Sequence, residues 1–581
     1  MHLPYSKKHI LFVLFSLVVP SLTGCGGTTF DAKSTIYIEP FSGSGFGYKW
    51  IEELADEWKK ESGYTYDVLV DRQSVYMAGQ QLNQIASGIS KTDIFFGGEP
   101  DYNPGIYKGY FENLEDLLDV RPDGDGTKTI KEKIKDWDTW QKVGSKVTYS
   151  EATDTFSYSG MYMLPYTVTI SGLIFDYDSF EEKGLLIKAE NSDEVKSALD
   201  LQGISYHIEG KNLVFDSSTS PTNYTAGRTI MSAGKDGKYG TYDDGQPITI
   251  SEYNELINKI LASSRTPYVF STQGLYTDTI SLPLLAQLQG MPVYNALCTF
   301  ESGEEIELYD GTKKEITWEN GYEVYKSKGI QEAVQFLYDN FFDKKTQKAS
   351  VSNQVSMAQS KFINGLLDDS NFYAFINEGN WFETEASESF KAAKKRGGKD
   401  YGEYDLRFLM LPEFEGQKGK DGEGHGSFIS GPEYGAICVR KQEDAEKLEA
   451  IKSFLSFVLR NDNLSKVNVD TGLVWGYEYT IPEEMKSNMT LFQRNCYDVF
   501  HDTENVRVLC HKTDRLASPF PYASKSFNNS GTLLTVGKNG MTISGALQNG
   551  YSQTEIVNTM RTMYDSTSWK SVINEAKFFL S

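Results

Sequence analysis

Apolar residues recur in two alternating rhythms along the stretch that begins near residue 35. Thr35-Ile36-Tyr37-Ile38 is a short β-favouring run, and Ile51, Leu54, Ala55 and Trp58 then fall at i, i+3, i+4 and i+7, the spacing of one helix face. Tyr64 to Val70 predicts a second strand. Leu82, Ile85, Ala86 and Ile89 repeat the helical spacing, and Asp93-Ile94-Phe95-Phe96 reads as a buried strand ending at Gly97-Gly98. Strand, helix, strand, helix, strand in close succession predicts a parallel α/β sheet with right-handed connections. Ligands of such sheets sit outside the carboxyl ends of the strands. Two loops therefore become candidate binding edges: Glu39-Pro40-Phe41-Ser42-Gly43-Ser44-Gly45 and Glu99-Pro100-Asp101-Tyr102-Asn103-Pro104.

Further along the pattern is more interrupted. Met163-Leu164-Pro165-Tyr166 precedes an apolar strand, Leu173-Ile174-Phe175, which Asp176-Tyr177-Asp178 closes. Residues 190 to 250 are rich in Gly, Ser, Asp and Thr, with strand fragments such as Leu213-Val214-Phe215, and read as an insertion of loops on a lobe. Ile330, Ala333, Val334, Leu337, Tyr338 and Phe341 mark a strongly periodic helix. Phe372 to Ile376 predicts a strand leading into Asn377-Glu378-Gly379-Asn380-Trp381. Tyr434 to Val439 predicts another, followed by a helix at Ile451, Phe454, Leu455 and Val458. No repeat appears at solenoid periods. A chain of 581 residues exceeds the ~150 of a typical domain, so two or more lobes with sizeable cores are expected.

The amino terminus carries a different signal. Lys7 and Lys8 precede an apolar run from Ile10 to Val19, too short to span a bilayer, and Leu22-Thr23-Gly24-Cys25 follows. These are the parts of a secretory signal. Leu-Thr-Gly-Cys resembles the bacterial lipobox, which implies cleavage after residue 24, lipidation of Cys25 and tethering outside the cytoplasm. Gly26 to Thr29 suits a flexible spacer. No later stretch is a continuous transmembrane span.

Composition narrows the function classes. The net charge of −23, or −25 once Lys7 and Lys8 leave with the signal, disfavours nucleic acid and a polybasic grip on lipid. The lipid anchor is then the expected membrane contact. The 36 Tyr and 33 Phe supply flat apolar faces, and Tyr adds a polar edge, a combination suited to sugar rings as well as to ordinary cores. Beyond Cys25 there are Cys298, Cys438, Cys496 and Cys510, too few for a disulfide scaffold, with Cys496 and Cys510 close enough in sequence for a bridge to stay open. Catalysis has no motif behind it: HExxH and GxSxG are absent, and Gly43-Ser44-Gly45-Phe46-Gly47 lacks the spacing and lysine of a phosphate loop. Paired carboxylates are unavoidable among 80 acidic residues and carry no weight alone.

Four segments in order resemble the family 1 extracellular solute-binding proteins of ABC importers, the maltose-binding-protein-like group. They are Asp93-Ile94-Phe95-Phe96 with Glu112-Asn113-Leu114-Glu115-Asp116-Leu117; Leu164-Pro165-Tyr166 with Gly172-Leu173-Ile174-Phe175-Asp176; Phe375-Ile376-Asn377-Glu378-Gly379-Asn380-Trp381; and Thr471-Gly472-Leu473. The resemblance is good over 35 to 180 and 320 to 480 and loose elsewhere. It implies an α/β, two-lobed periplasmic-binding-protein-like fold of type II, with a cleft between lobes joined by crossing strands near Pro165 to Gly172 and Ser430 to Ile437. The implied organisation is a lipoprotein signal peptide over 1–24, the lipidated Cys and linker over 25–34, an N-terminal lobe from 35–165 plus 432–495, and a C-terminal lobe from 166–431 plus 496–581. The implied function is capture of a carbohydrate, an oligosaccharide first, by lobe closure and delivery to a permease. The protein would be a monomer that is not an enzyme and requires no cofactor. A surface glycan-degrading enzyme, a binding protein for a peptide or uronate, and an adhesion or sensor lipoprotein remain as alternatives.

Within that frame Trp381, in its Gly-Asn-Trp turn, is the expected floor for a sugar ring, and Tyr166 lies at the first crossing. Glu99 and Asp101 are placed to accept paired hydrogen bonds from sugar hydroxyls. Glu39 and Phe41 follow the first strand, and Trp475 and Tyr477 follow Thr471-Gly472. Separately, Asp236, Asp243 and Asp244 in a Gly-bent loop make a start on the 6 to 8 oxygen ligands of a structural calcium, although the EF-hand pattern is absent and a metal-free turn is the alternative.

Overall fold

The computed structural model describes residues 33–41, 46–71, 78–98, 100–216, 226–271, 278–343, 345–346, 348–414, 427–432, 434–520, 534–537 and 540–581. The apolar runs assemble into two main sheets. In the first, Thr35–Pro40 lies between Asp67–Val70 and Ile94–Gly97, parallel to both, with Ile38 opposite Val70 on one side and Ile94 on the other. Outside Ile94–Gly97 the order continues with Tyr434–Val439, Leu164–Val168 and the short edge Val474–Trp475, each antiparallel to its neighbour. The expected parallel sheet is thus mixed, because Tyr434–Val439 runs antiparallel to Ile94–Gly97 and the two strands beyond it alternate in direction.

The second sheet runs in the order Ala349–Ser352, Thr266–Ser271, Tyr373–Gly379, Ser171–Asp176, Ser427–Ser430, Val506–Leu509, with Leu406–Phe408 also paired to Ser171–Asp176. The chain passes between sheets three times. Leu164–Val168 continues through Thr169 and Ile170 into Ser171–Asp176; Ser427–Ser430 returns to Tyr434–Val439; and Val474–Trp475 leads to Val506–Leu509 by way of helices Glu483–Lys486 and Leu491–His501.

Helix Lys49–Ser62 shows why the first lobe holds. Trp50, Ile51, Leu54, Ala55 and Trp58 form its buried face, and Gly63, at φ 75°, ends it in the left-handed conformation that glycine adopts without a Cβ penalty. Trp58 packs edge-on against Phe454 at 5.4 Å and its Nε1 donates to Ser453 Oγ. Burial of each such large apolar side chain contributes roughly 1.5–3 kcal/mol. In the second lobe Phe175, Phe180, Tyr268 and Phe375 pack at centroid distances of 4.5 to 6.1 Å.

Three departures from the sequence reading stand out. The second helix is Ala78–Ala86, and Ile89 lies beyond it, 70% exposed. The insertion of residues 190 to 250 holds an unexpected helix, Asp193–Leu201, capped by the Ser192 side chain, while the expected strand at Leu213-Val214-Phe215 is present and forms a hairpin, Tyr206–Glu209 with Asn212–Phe215. A second hairpin, Lys146–Ser150 with Thr155–Ser159, reaches the other lobe: Phe156 packs against Trp318 and Phe520, and the Tyr158 hydroxyl donates to the Ala517 carbonyl at 3.1 Å.

Candidate functional site

The ends of both sheets that meet at the crossings place the expected residues very unequally. Phe41, immediately after Thr35–Pro40, lies against the Gly98 backbone; a Cβ at Gly98 would stand 2.5 Å from its ring. Glu39 is buried, and its carboxylate accepts from Gln81 Nε2 at 2.9 Å and Thr92 Oγ1 at 3.2 Å, while the Tyr102 hydroxyl donates to Gln81 Oε1. Glu39 therefore ties the first strand to helix Ala78–Ala86 and to Thr92. Asp101 is exposed, and its charge acts on the buried Arg515 guanidinium of the helix His511–Leu516. Glu99 and Cys25 lie outside the described residues.

Tyr166, Trp475 and Tyr477 are wholly buried, and so present no surface to a ligand in this structure. Trp475 pairs with Thr167, and its ring meets Trp50 at 5.4 Å and Tyr166 at 5.2 Å, with Phe96 completing the group. The space between helix Lys49–Ser62 and the sheet has to be filled, and these rings fill it. Trp50 Nε1, Trp475 Nε1 and the Tyr166 hydroxyl have no hydrogen-bond partner among the described residues. Burial pushes the Tyr166 hydroxyl well above the ordinary phenol range.

Trp381 is set at a crossing. The strand Tyr373–Gly379 ends beside it, and Asn380 clamps the chain that passes between lobes: its N–H donates to the Ile170 carbonyl at 2.8 Å, and its Oδ1 accepts from the Ile170 N–H at 3.3 Å. The Trp381 indole N–H donates to Glu378 Oε2 at 3.1 Å, and 8% of the residue is exposed. Burial, and then the charge of Glu385, pushes the Glu378 carboxyl up to about 8. Glu378, Asn380 and Gln359 were not singled out from sequence. Glu378 and Asn380 had a signal in the polar residues that interrupt an apolar strand just before a tryptophan; Gln359, on the helix Val355–Gly365, had none.

A cavity of about 330 Å³ lies beside the third crossing, lined from the first lobe by Lys135, Asp136 and Lys142 and from the second by Tyr294, Asn295 and Arg507. Lys135 Nζ donates to the Phe500 carbonyl at 2.9 Å and stands 4.0 Å from that ring's centroid, and burial lowers its pKa to about 7. The buried Asp514 carboxyl, which accepts from the Tyr294 hydroxyl, is pushed up by desolvation. These groups come from distant parts of the chain, and no motif announces them.

The acidic loop is ordered by its own backbone. Asp243 Oδ2 accepts from the N–H groups of Lys235 and Asp236 at 2.7 and 3.1 Å, Asp244 Oδ2 from Gly240 N–H at 2.9 Å, and Asp236 Oδ1 from Lys238 N–H at 2.7 Å. Thr241 Oγ1 lies within hydrogen-bond distance of both Asp243 and Asp244. Among the described residues no group of three or more His, Cys, Asp or Glu side chains is placed to hold a metal ion. The carboxylates of Asp236, Asp243 and Asp244 thus accept from the turn's own N–H groups. Cys496 and Cys510 are both buried thiols and are not bridged to each other.

Neither a family model nor a curated protein sequence matches this chain. Solved structures do. A chitin oligosaccharide binding protein aligns over 93% of this chain and 99% of its own, at 11% identity and a TM-score of 0.52. A probable secreted solute-binding lipoprotein from Streptomyces coelicolor aligns over 91% of this chain and 98% of its own, at 8% identity and a TM-score of 0.52. The fold is that of two-lobed solute-binding proteins. Among the described residues no helix is long and apolar enough to cross a membrane.

Proposed function

We propose that this chain is the extracytoplasmic solute-binding component of an ABC importer, anchored through a lipidated Cys25, which captures a carbohydrate by lobe closure and passes it to a permease. The observation that carries this reading is the position of Trp381. Its neighbour Asn380 is hydrogen-bonded to Ile170 in the segment that joins the lobes, so a ligand lying on the ring sits beside the part of the chain that closure moves. A flat aromatic surface suits the C–H faces of a sugar, and contacts made only in the closed state shift the population toward it. The likeness to a chitin oligosaccharide binding protein supports an oligosaccharide as the first class to try. The protein works as a monomer, without a cofactor, and binds without turnover.

A thermal-shift screen of the mature, unlipidated protein against mono- and oligosaccharides tests the capture. The expected result is stabilisation by one glycan class, lost in Trp381→Ala, with the glycan recovered intact by chromatography. Absence of any shift sinks the carbohydrate reading, and cleavage of the glycan replaces it with an enzyme. Anchoring has its own test: metabolic labelling with a fatty acid should mark the full chain and not Cys25→Ser.

A further inference from the structure

Glu378 belongs to the strand Tyr373–Gly379, where it pairs with Gly172, and its backbone carbonyl accepts from Ser171 Oγ at 3.0 Å. Its position is therefore fixed by the sheet. The side chain is 2% exposed, and both oxygens are engaged. Oε2 accepts the Trp381 indole N–H at 3.1 Å, and Oε1 accepts from Gln359 Nε2 at 3.3 Å. The same Gln359 nitrogen donates to Glu385 Oε2 at 2.7 Å, which ties the carboxyl to helices Val355–Gly365 and Phe382–Glu385 together. The other end of the indole is also held. A Cβ on Gly379 would run into the benzo ring of Trp381, so that ring rests directly on the glycine backbone.

We propose that Glu378 is a positioning residue that, with Gly379 and Gln359, holds Trp381 as a platform offering the ligand a ring face and no hydrogen bond. The inference rests on the reading of Trp381 as the ligand's floor and adds a specificity to it. With its only polar group consumed inside the protein, the indole recognises shape alone. A pyranose with a continuous C–H face is accepted there whatever the arrangement of its outward hydroxyls, and those hydroxyls are discriminated by other groups. The near-neutral titration of Glu378, raised by burial and by Glu385, the charged group that faces it, keeps the carboxyl largely uncharged beneath the ring at pH 7.

The test is solution NMR of mature protein labelled with ¹⁵N-tryptophan, which gives eight indole N–H signals, that of Trp381 identified by its loss in Trp381→Phe. In the wild type this signal should shift through a titration near pH 8 and exchange slowly with water. Glu378→Gln, which keeps an acceptor oxygen, should abolish the titration, retain slow exchange and bind the glycan found in the screen within about threefold of wild type. Glu378→Met should speed the exchange at least tenfold, and Gly379→Ala should displace the signal and weaken glycan binding at least tenfold. Should Glu378→Met fail to fold, the wild-type titration and Glu378→Gln still decide. A Trp381 signal that ignores pH and is unchanged in Glu378→Gln overturns the positioning role, even if glycans bind. The expected NMR pattern in a protein that binds no glycan upholds the positioning role and removes the sugar.

Discussion

Trp381 and Arg407 illustrate two uses of a large buried side chain. Replacing Trp381 by Ala removes the ring on which the proposed ligand lies, and titration calorimetry should show affinity falling about 100-fold, equivalent to ~2.7 kcal/mol; Trp381→Phe, which keeps a smaller face, should lose about tenfold or less. Arg407 is fully buried against Asp405, with two hydrogen bonds of 2.9 Å, and sits 3.6 Å above the Tyr177 ring centroid. Asp405→Asn removes the carboxylate charge hydrogen-bonded to that guanidinium, and urea unfolding should show a loss of about 3–5 kcal/mol. Sequence marks such residues by type and not by surroundings. Trp381, Tyr166, Trp475 and Tyr477 look equivalent as aromatics near a crossing, yet the last three are wholly buried while Trp381 keeps 8% of its surface exposed. In a strand, successive side chains point to opposite faces, and which face a helix covers is settled by its packing, not by spacing along the chain.

At the level of elements the sequence was most legible where periodicity was strong. The helix Lys49–Ser62 buries the face given by Ile51, Leu54, Ala55 and Trp58, and Ile94–Gly97 is buried throughout as its apolar run implies. The hairpin Lys146–Ser159 was not read, because Lys146-Val147-Thr148-Tyr149-Ser150 is polar enough to pass for a loop until its Tyr and Phe rings meet the other lobe. The crossing elements give a prediction of their own. Asn380→Ala strips the acceptor from the Ile170 N–H in a fully buried segment, which should cost about 1–3 kcal/mol in urea unfolding. The same variant frees the joint between the lobes, so small-angle scattering should show a larger radius of gyration in the unliganded protein than in wild type.

For the molecule as a whole, pH is the sharpest probe. Burial pushes Glu383 and Asp498 up to about 7; Glu378 and Asp236 rise to about 8, from burial first and then from Glu385 and Asp243 respectively. An unfolded chain ionises all four near pH 4. The folded state therefore keeps protons that the unfolded state has released, and the stability this gives is lost as pH rises through 7 and 8. Lys135, lowered to about 7 by burial, works in the opposite sense above that pH, and buried His501 and His511 do so below about 6.5. The urea midpoint should consequently be lower at pH 8 than at pH 6.5, with a smaller drop in Glu378→Gln. An unchanged or rising midpoint would contradict the burial of these carboxyls.

By itself the sequence determined the alternation of strand and helix in the first lobe, the two-lobed class and the neighbourhood of Trp381, because these depend on local periodicity and on the order of segments. Tertiary structure alone decided the rest. Glu378 reaches Gln359 and Trp381 through two helices and a strand end, Asn380 meets Ile170 across 210 positions, and Lys135 faces Tyr294 over a cavity between lobes. Those contacts follow from how two sheets are joined by three passages of one chain. Such long-range geometry leaves no period in the sequence to read.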